Sequence, residues 1–67
     1  MTVAKISEIS ASSPVSFDDA TRVGVERASK TLKNITGAWI SEMKVDVADG
    51  TVSNYRVNMK ITFVLED

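Results

Sequence analysis

Neither cysteine nor histidine occurs in this chain of 67 residues. Their absence excludes disulfides and the common zinc ligand sets. It also removes the usual enzymatic nucleophile and the side chain that titrates near neutral pH. The three glycines, Gly24, Gly37 and Gly50, lie far apart, so no glycine-rich phosphate loop leads from a strand into a helix. No apolar run approaches the ~20 residues needed to span a bilayer, and the N-terminus lacks the charged-then-apolar pattern of a signal peptide. A soluble, cytoplasmic protein is expected. Net charge is also lacking: 8 basic residues face 9 acidic ones, a balance of −1, which disfavours nucleic acid and anionic lipid surfaces as partners.

A chain this short hides only about 60% of its unfolded surface on folding. With disulfides excluded and the usual metal ligands missing, oligomerisation is the supplement that remains. The length fits one domain over residues 1–67.

Local patterns give the order of elements. "TVAKISEIS" is β-branched and is followed by the turn-like "ASSPVS", which predicts a first strand. Ser16 before "FDDA" offers an N-cap hydroxyl with acidic residues in the first helical turn, so a helix is predicted from about Phe17. Phe17, Ala20, Gly24, Ala28, Leu32 and Ile35 recur three or four apart and predict one continuous helical face, with Lys30, Lys33, Asn34 and Gly37 near its end. The small residues in the middle of that face suit close approach to a sheet. Ser12, Ser13 and Ser16 read as turn and capping groups.

From Ala38 the period becomes two, and Asp49-Gly50 supplies a two-residue hairpin turn. Extending an unbroken register from that turn pairs Trp39 with Lys60, Ser41 with Asn58 and Met43 with Arg56 on one face. On the other face it pairs Ala38 with Ile61, Ile40 with Met59, Glu42 with Val57 and Lys44 with Tyr55. Tyr55, Val57, Met59, Ile61, Phe63 and Leu65 form the apolar side of the last strand and must meet the helix. The resulting fold class is α+β, in the order β-α-β-β, with the last strand central in a three-stranded antiparallel sheet. The expected core is Phe17, Ala20, Gly24, Ala28, Leu32, Ile40, Val57, Met59, Ile61 and Phe63.

This register places Trp39, the only tryptophan, on the polar face of the sheet. Three roles suit an indole there: packing between subunits, a platform for a planar ligand with Arg56 and Asn58 at its rim, or an aromatic and basic surface for single-stranded nucleic acid with Lys60 and Arg56. The acidic balance weighs against the third.

The whole chain resembles the dodecin family. The resemblance rests on "EISASSPVSFDDA", "ERASKTLKNI" and "NYRVNMKITFVLED", which look like the family's first strand and Ser-Pro turn, the second half of its helix, and its last strand. It implies a three-stranded sheet wrapped around one long helix, a hollow shell of twelve subunits, and non-enzymatic storage or sequestration of a flavin (riboflavin, FMN or FAD) between stacked tryptophans. Aligned without gaps, the family's stacking tryptophan falls on Gly37, and Trp39 lies two residues further on, about 6–7 Å along the same face. Arg56 replaces a glutamine that holds the flavin's polar edge in the family, and Lys44 matches a basic residue of the second strand. The implied flavin-binding residues are therefore Trp39, Arg56, Asn58 and Lys44.

Calcium is the alternative. Asp46 and Asp49 do not have the spacing of an EF-hand loop, but a shell can gather carboxylates such as Glu8, Glu66 and Asp67 from different subunits. The rival reading is thus a structural or calcium-binding shell without flavin.

Overall fold

In the computed structural model, which describes residues 2–65, the elements run β1 (Ala4–Ser13), α1 (Phe17–Ala28), β2 (Ile35–Ala48) and β3 (Thr51–Val64). The sheet is antiparallel with the order β1-β3-β2, so β3 is central, as its strict alternation requires. Glu66 and Asp67, the C-terminal carboxylates considered for calcium, lie outside the described residues.

β1 is longer than its sequence pattern predicts. It continues through Ala11, Ser12 and Ser13, which pair with Val57, Arg56 and Tyr55, because Ala11 packs against the core. Ser13 then ends the strand and starts the turn. It is 2% exposed; its hydroxyl donates to Asp19 Oδ2 at 2.6 Å and accepts from the Val15 amide at 3.0 Å. Ser12, read above as a turn residue, is instead an exposed strand residue.

The helix starts where the sequence predicts. Ser16 caps it in an extended conformation, and its hydroxyl accepts from the Asp19 amide at 3.0 Å. It ends sooner than the apolar stripe predicts, at Ala28. Ser29 Oγ donates back to the Val25 carbonyl at 2.8 Å and Thr31 Oγ1 to that of Ala28 at 3.3 Å, the kind of local bonding that competes with regular helix. Asn34 then takes the left-handed region at φ 63° and turns the chain into β2. Leu32 packs on the core from the connecting turn, and Ile35 does so from the first residue of β2.

The helix lies on β1 and β3. Its buried face is Ala20, Gly24 and Ala28, set against Val57, Met59 and Ile61, with Phe17 edge-on to Tyr55 at 5.2 Å between ring centroids. Gly24 is where the close approach is tightest: a Cβ there would run into Met59 Cε and lie 2.9 Å from Ala11 Cβ. β2 lies beyond the helix. Ile40, assigned to the core from its pairing with Met59, is therefore 41% exposed although that pairing is present. Met43, Val45, Val47 and Val52 are exposed as well.

Asp49 and Gly50 turn the hairpin with φ of 53° and 74°, the two positive values of a type I′ turn. The register, however, is not continuous. It shifts between Asp46 and Val47, with Ser53 the extra residue on β3, and shifts back between Ile40 and Glu42, with Ser41 the extra residue on β2. A third irregularity lies between Ile35 and Gly37. The first two offset each other, so Trp39 does pair with Lys60, while the intervening pairs become Glu42 with Asn58, Met43 with Val57, Lys44 with Arg56 and Val45 with Tyr55.

Candidate functional site

The two bulges decide which side chains share the face of Trp39. Because side chains alternate along a strand, one extra residue exchanges the faces of everything beyond it. Between Ser41 and Ser53 the exchange turns Met43 and Val45 to the helix side and brings Glu42, Lys44 and Asp46 to the outer side. The unbroken register placed Met43 beside Arg56 and Lys44 on the opposite face; both placements are corrected. Lys44, named above only through the family resemblance, now shares a face with Trp39, Asn58 and Arg56.

On this outer face three rungs follow one another along β3. The first carries Trp39 opposite Lys60, with Glu8 of β1 on the far side of Lys60. The indole is 70% exposed and is the largest apolar group that the subunit leaves in solvent.

The second rung joins Asn58 to Glu42. The Asn58 amide Nδ2 donates to Glu42 Oε1 at 3.0 Å, and Ser41 Oγ donates to the Asn58 carbonyl at 3.0 Å.

The third rung is ionic. Arg56 Nη2 lies 3.3 Å from Asp46 Oδ2, and Lys44 Nζ lies 3.8 Å from Asp46 Oδ1. Hydrogen bonding from Arg56, more than the nearby positive charges of Arg56 and Lys44, holds the Asp46 carboxyl below the usual carboxylate range, against an opposing effect of partial burial. Asp46 is thus an orienting anion for two cations.

Glu42 and Asp46 are the members of this face that an unbroken register misses. A signal for them was present. Apolar residues occupy even positions at Ala38 and Ile40 but odd positions at Met43, Val45 and Val47, so the phase of alternation changes at Ser41, where the bulge lies.

The face has donors, acceptors and an aromatic plane; of its carboxylates, Glu42 accepts a hydrogen bond from Asn58 and Asp46 is held between two cations. Among the described residues no three carboxylates gather into a metal-binding cluster. On the opposite side of the sheet, a groove of about 490 Å³ runs between β1 and the helix, lined by Ile9, Val23, Arg27 and Leu32 among others. It shares no residue with the three rungs.

Comparison with known proteins follows the same lines. The family model described as Dodecin matches residues 3–66. The dodecin from Streptomyces davaonensis is 32% identical and superposes with a TM-score of 0.94, covering 98% of this chain and 97% of its own. The dodecin from Streptomyces coelicolor is 30% identical with a TM-score of 0.93, covering 98% and 94%. A third similar structure is a calcium dodecin from Mycobacterium tuberculosis, described as a calcium-chelating antigen with a novel calcium-binding site; it is 28% identical with a TM-score of 0.82, covering 96% and 91%. No curated protein sequence matches. No helix is long and apolar enough to cross a membrane among the described residues.

Proposed function

From the premise that the chain belongs to the dodecin family, we propose that it is a non-enzymatic flavin-binding protein which assembles into a closed shell of twelve copies and stores or sequesters a flavin where subunits meet. The observation that carries the reading is the exposed Trp39 on a sheet face whose next rungs supply hydrogen-bonding groups. An electron-poor ring stacked on the indole gains aromatic contact, and Asn58, two residues along β3 from Lys60, is placed about 6–7 Å away, at the rim of such a ring. Arg56 and Lys44 lie one rung further. Both large faces of a ring on an exposed indole can be covered only if a second subunit closes over it, which makes the binding site an intersubunit pocket. Trp39 in this reading takes the place that Gly37 vacates.

Riboflavin fluorescence tests this directly, because stacking on tryptophan quenches flavin emission. Titration with the assembled protein is expected to quench it, and Trp39→Ala, at a position that contributes little to the fold of the subunit, is expected to abolish the quenching while changing subunit stability by no more than about 0.5 kcal/mol. Absence of quenching at high-micromolar protein would refute flavin binding.

Similarity to the calcium dodecin supports a second reading, a calcium-binding shell. The two separate by ligand: calcium bound only by the assembled state must raise its melting temperature, whereas a flavin site predicts stabilisation by riboflavin instead.

A further inference from the structure

The groove between β1 and the helix lies away from the outer face, and its chemistry is of a different kind. Its deeper lining is Ile9, Ala11, Ala28 and Leu32, which belong to the core or pack against it, and the exposed Val23 stands at its margin. No carboxylate and no aromatic ring lines it, and Arg27 is its one charged group. We propose that this groove binds a straight-chain aliphatic carboxylate of medium length, with the hydrocarbon chain along the apolar lining and the head on Arg27.

Charge selects the head. Arg27 is exposed, and among the described residues its guanidinium has neither a hydrogen-bond nor an ion-pair partner. Arg22, on the same helix, is by contrast held by both Asp19 and Glu26. A free guanidinium fork matches the two oxygens of a carboxylate, and Ser7, Ser10 and Ser12 along β1 add hydroxyl donors to the lining.

Shape selects the tail. Along β1 the groove runs from Ser7 to Ser12, about 17 Å. Along the helix and the turn that ends it, the groove runs from Val23 to Thr31, about 12 Å. An extended chain of ten carbons, at ~1.2 Å per bond, is about 11 Å long, so it lies within the groove and leaves the core as it is.

A second copy of the chain fits less well. The uncovered row of β2, Ile40, Met43 and Val45, is exposed and apolar but brings no carboxylate, because Glu42 and Asp46 lie on the opposite side of that strand and are held by Asn58 and Arg56. Packing that row over the groove would crowd Arg27 without giving it a partner, which is costly for a charge removed from water.

Isothermal titration calorimetry of the full-length protein with octanoate, decanoate and dodecanoate, each below its micelle concentration, tests the site. Decanoate is expected to bind roughly five-fold more tightly than octanoate, as two methylenes partly removed from water should give, with little further gain for dodecanoate, whose end leaves the groove. Decyltrimethylammonium, with the same tail and the opposite charge, is expected to bind about ten-fold more weakly than decanoate. Arg27→Gln is expected to weaken decanoate about ten-fold, and Val23→Trp, which fills the groove from its margin, to abolish binding. Both positions are exposed, so the melting temperature without ligand should be unchanged. Trp39→Ala should leave decanoate binding as it is, which separates this site from the flavin site. Equal affinity for the carboxylate and the ammonium, or decanoate binding indifferent to both Arg27→Gln and Val23→Trp, would overturn the proposal. So would the absence of decanoate binding at millimolar concentration; if Val23→Trp then also lowers the sedimenting mass, the groove is a contact between copies.

Discussion

At the scale of the residue, Gly24 and Trp39 show opposite relations between sequence and environment. Gly24 sits mid-helix, where glycine costs about 1 kcal/mol relative to alanine, and it is there because β1 and Met59 approach too closely for a side chain. Gly24→Ala therefore regains helix propensity but overpacks the core, since Ala11 Cβ is fixed to the backbone of β1 and cannot swing away. A net destabilisation of about 1–2 kcal/mol is expected, read as a lower denaturant midpoint with an unchanged slope. The spacing of small residues made that contact legible without a structure. The outer face was only half legible. Pairing outward from the Asp49-Gly50 turn placed Trp39, Arg56 and Asn58 correctly on one side, because the shift at Ser53 is undone at Ser41 before Trp39 is reached. Lys44, inside the shifted interval, was placed on the wrong side. Bulges have no composition of their own, so only the change in the phase of alternation at Ser41 could have revealed this one.

At the scale of the element, the junction of β1 and α1 is a compact polar device. Asp19 accepts from the Ser13 hydroxyl at 2.6 Å and from Arg22 Nη2 at 2.6 Å, while Arg22 also reaches Glu26 at 2.9 Å. The Ser13 hydrogen bond first, and the Arg22 hydrogen bond second, hold the Asp19 carboxyl below its usual value. A carboxyl depressed in the folded state stabilises above its unfolded pKa, and the contribution is lost as pH falls through the depressed folded value. The melting temperature is thus expected to be flat with respect to this group near neutrality and to fall in acid, with Asp19→Asn flattening that acid slope. A wild-type acid slope unaltered by the substitution would show that Asp19 does not set it. Ser16→Ala is expected to cost about 1 kcal/mol by removal of the cap. The helix start was legible because Ser16 and the acidic first turn are local signals. Its end was not, because Leu32 and Ile35 continue the apolar spacing while serving a turn and a strand.

At the scale of the whole molecule, the helix covers β1 and β3, but β2 carries Ile40, Met43 and Val45 on its helix-facing side with no helix over them. Exposed apolar residues in such a continuous row need a partner, and in a chain without disulfides the partner proposed is another copy of itself. One assembly would then cover β2 and complete the pocket over Trp39. The fold was legible from period and turn chemistry; the uncovered strand was not, because alternation says which face is apolar but not how far a helix reaches across it. Sedimentation velocity of the protein with riboflavin, followed at once by protein absorbance and by the visible band of the flavin, tests the storage shell most directly. The account predicts that the flavin signal moves with a single fast boundary whose mass is about twelve times the 7.3 kDa subunit, and that Trp39→Ala leaves the boundary in place but removes its colour. A protein sedimenting at subunit mass, or a fast boundary from which the flavin is absent, would contradict it.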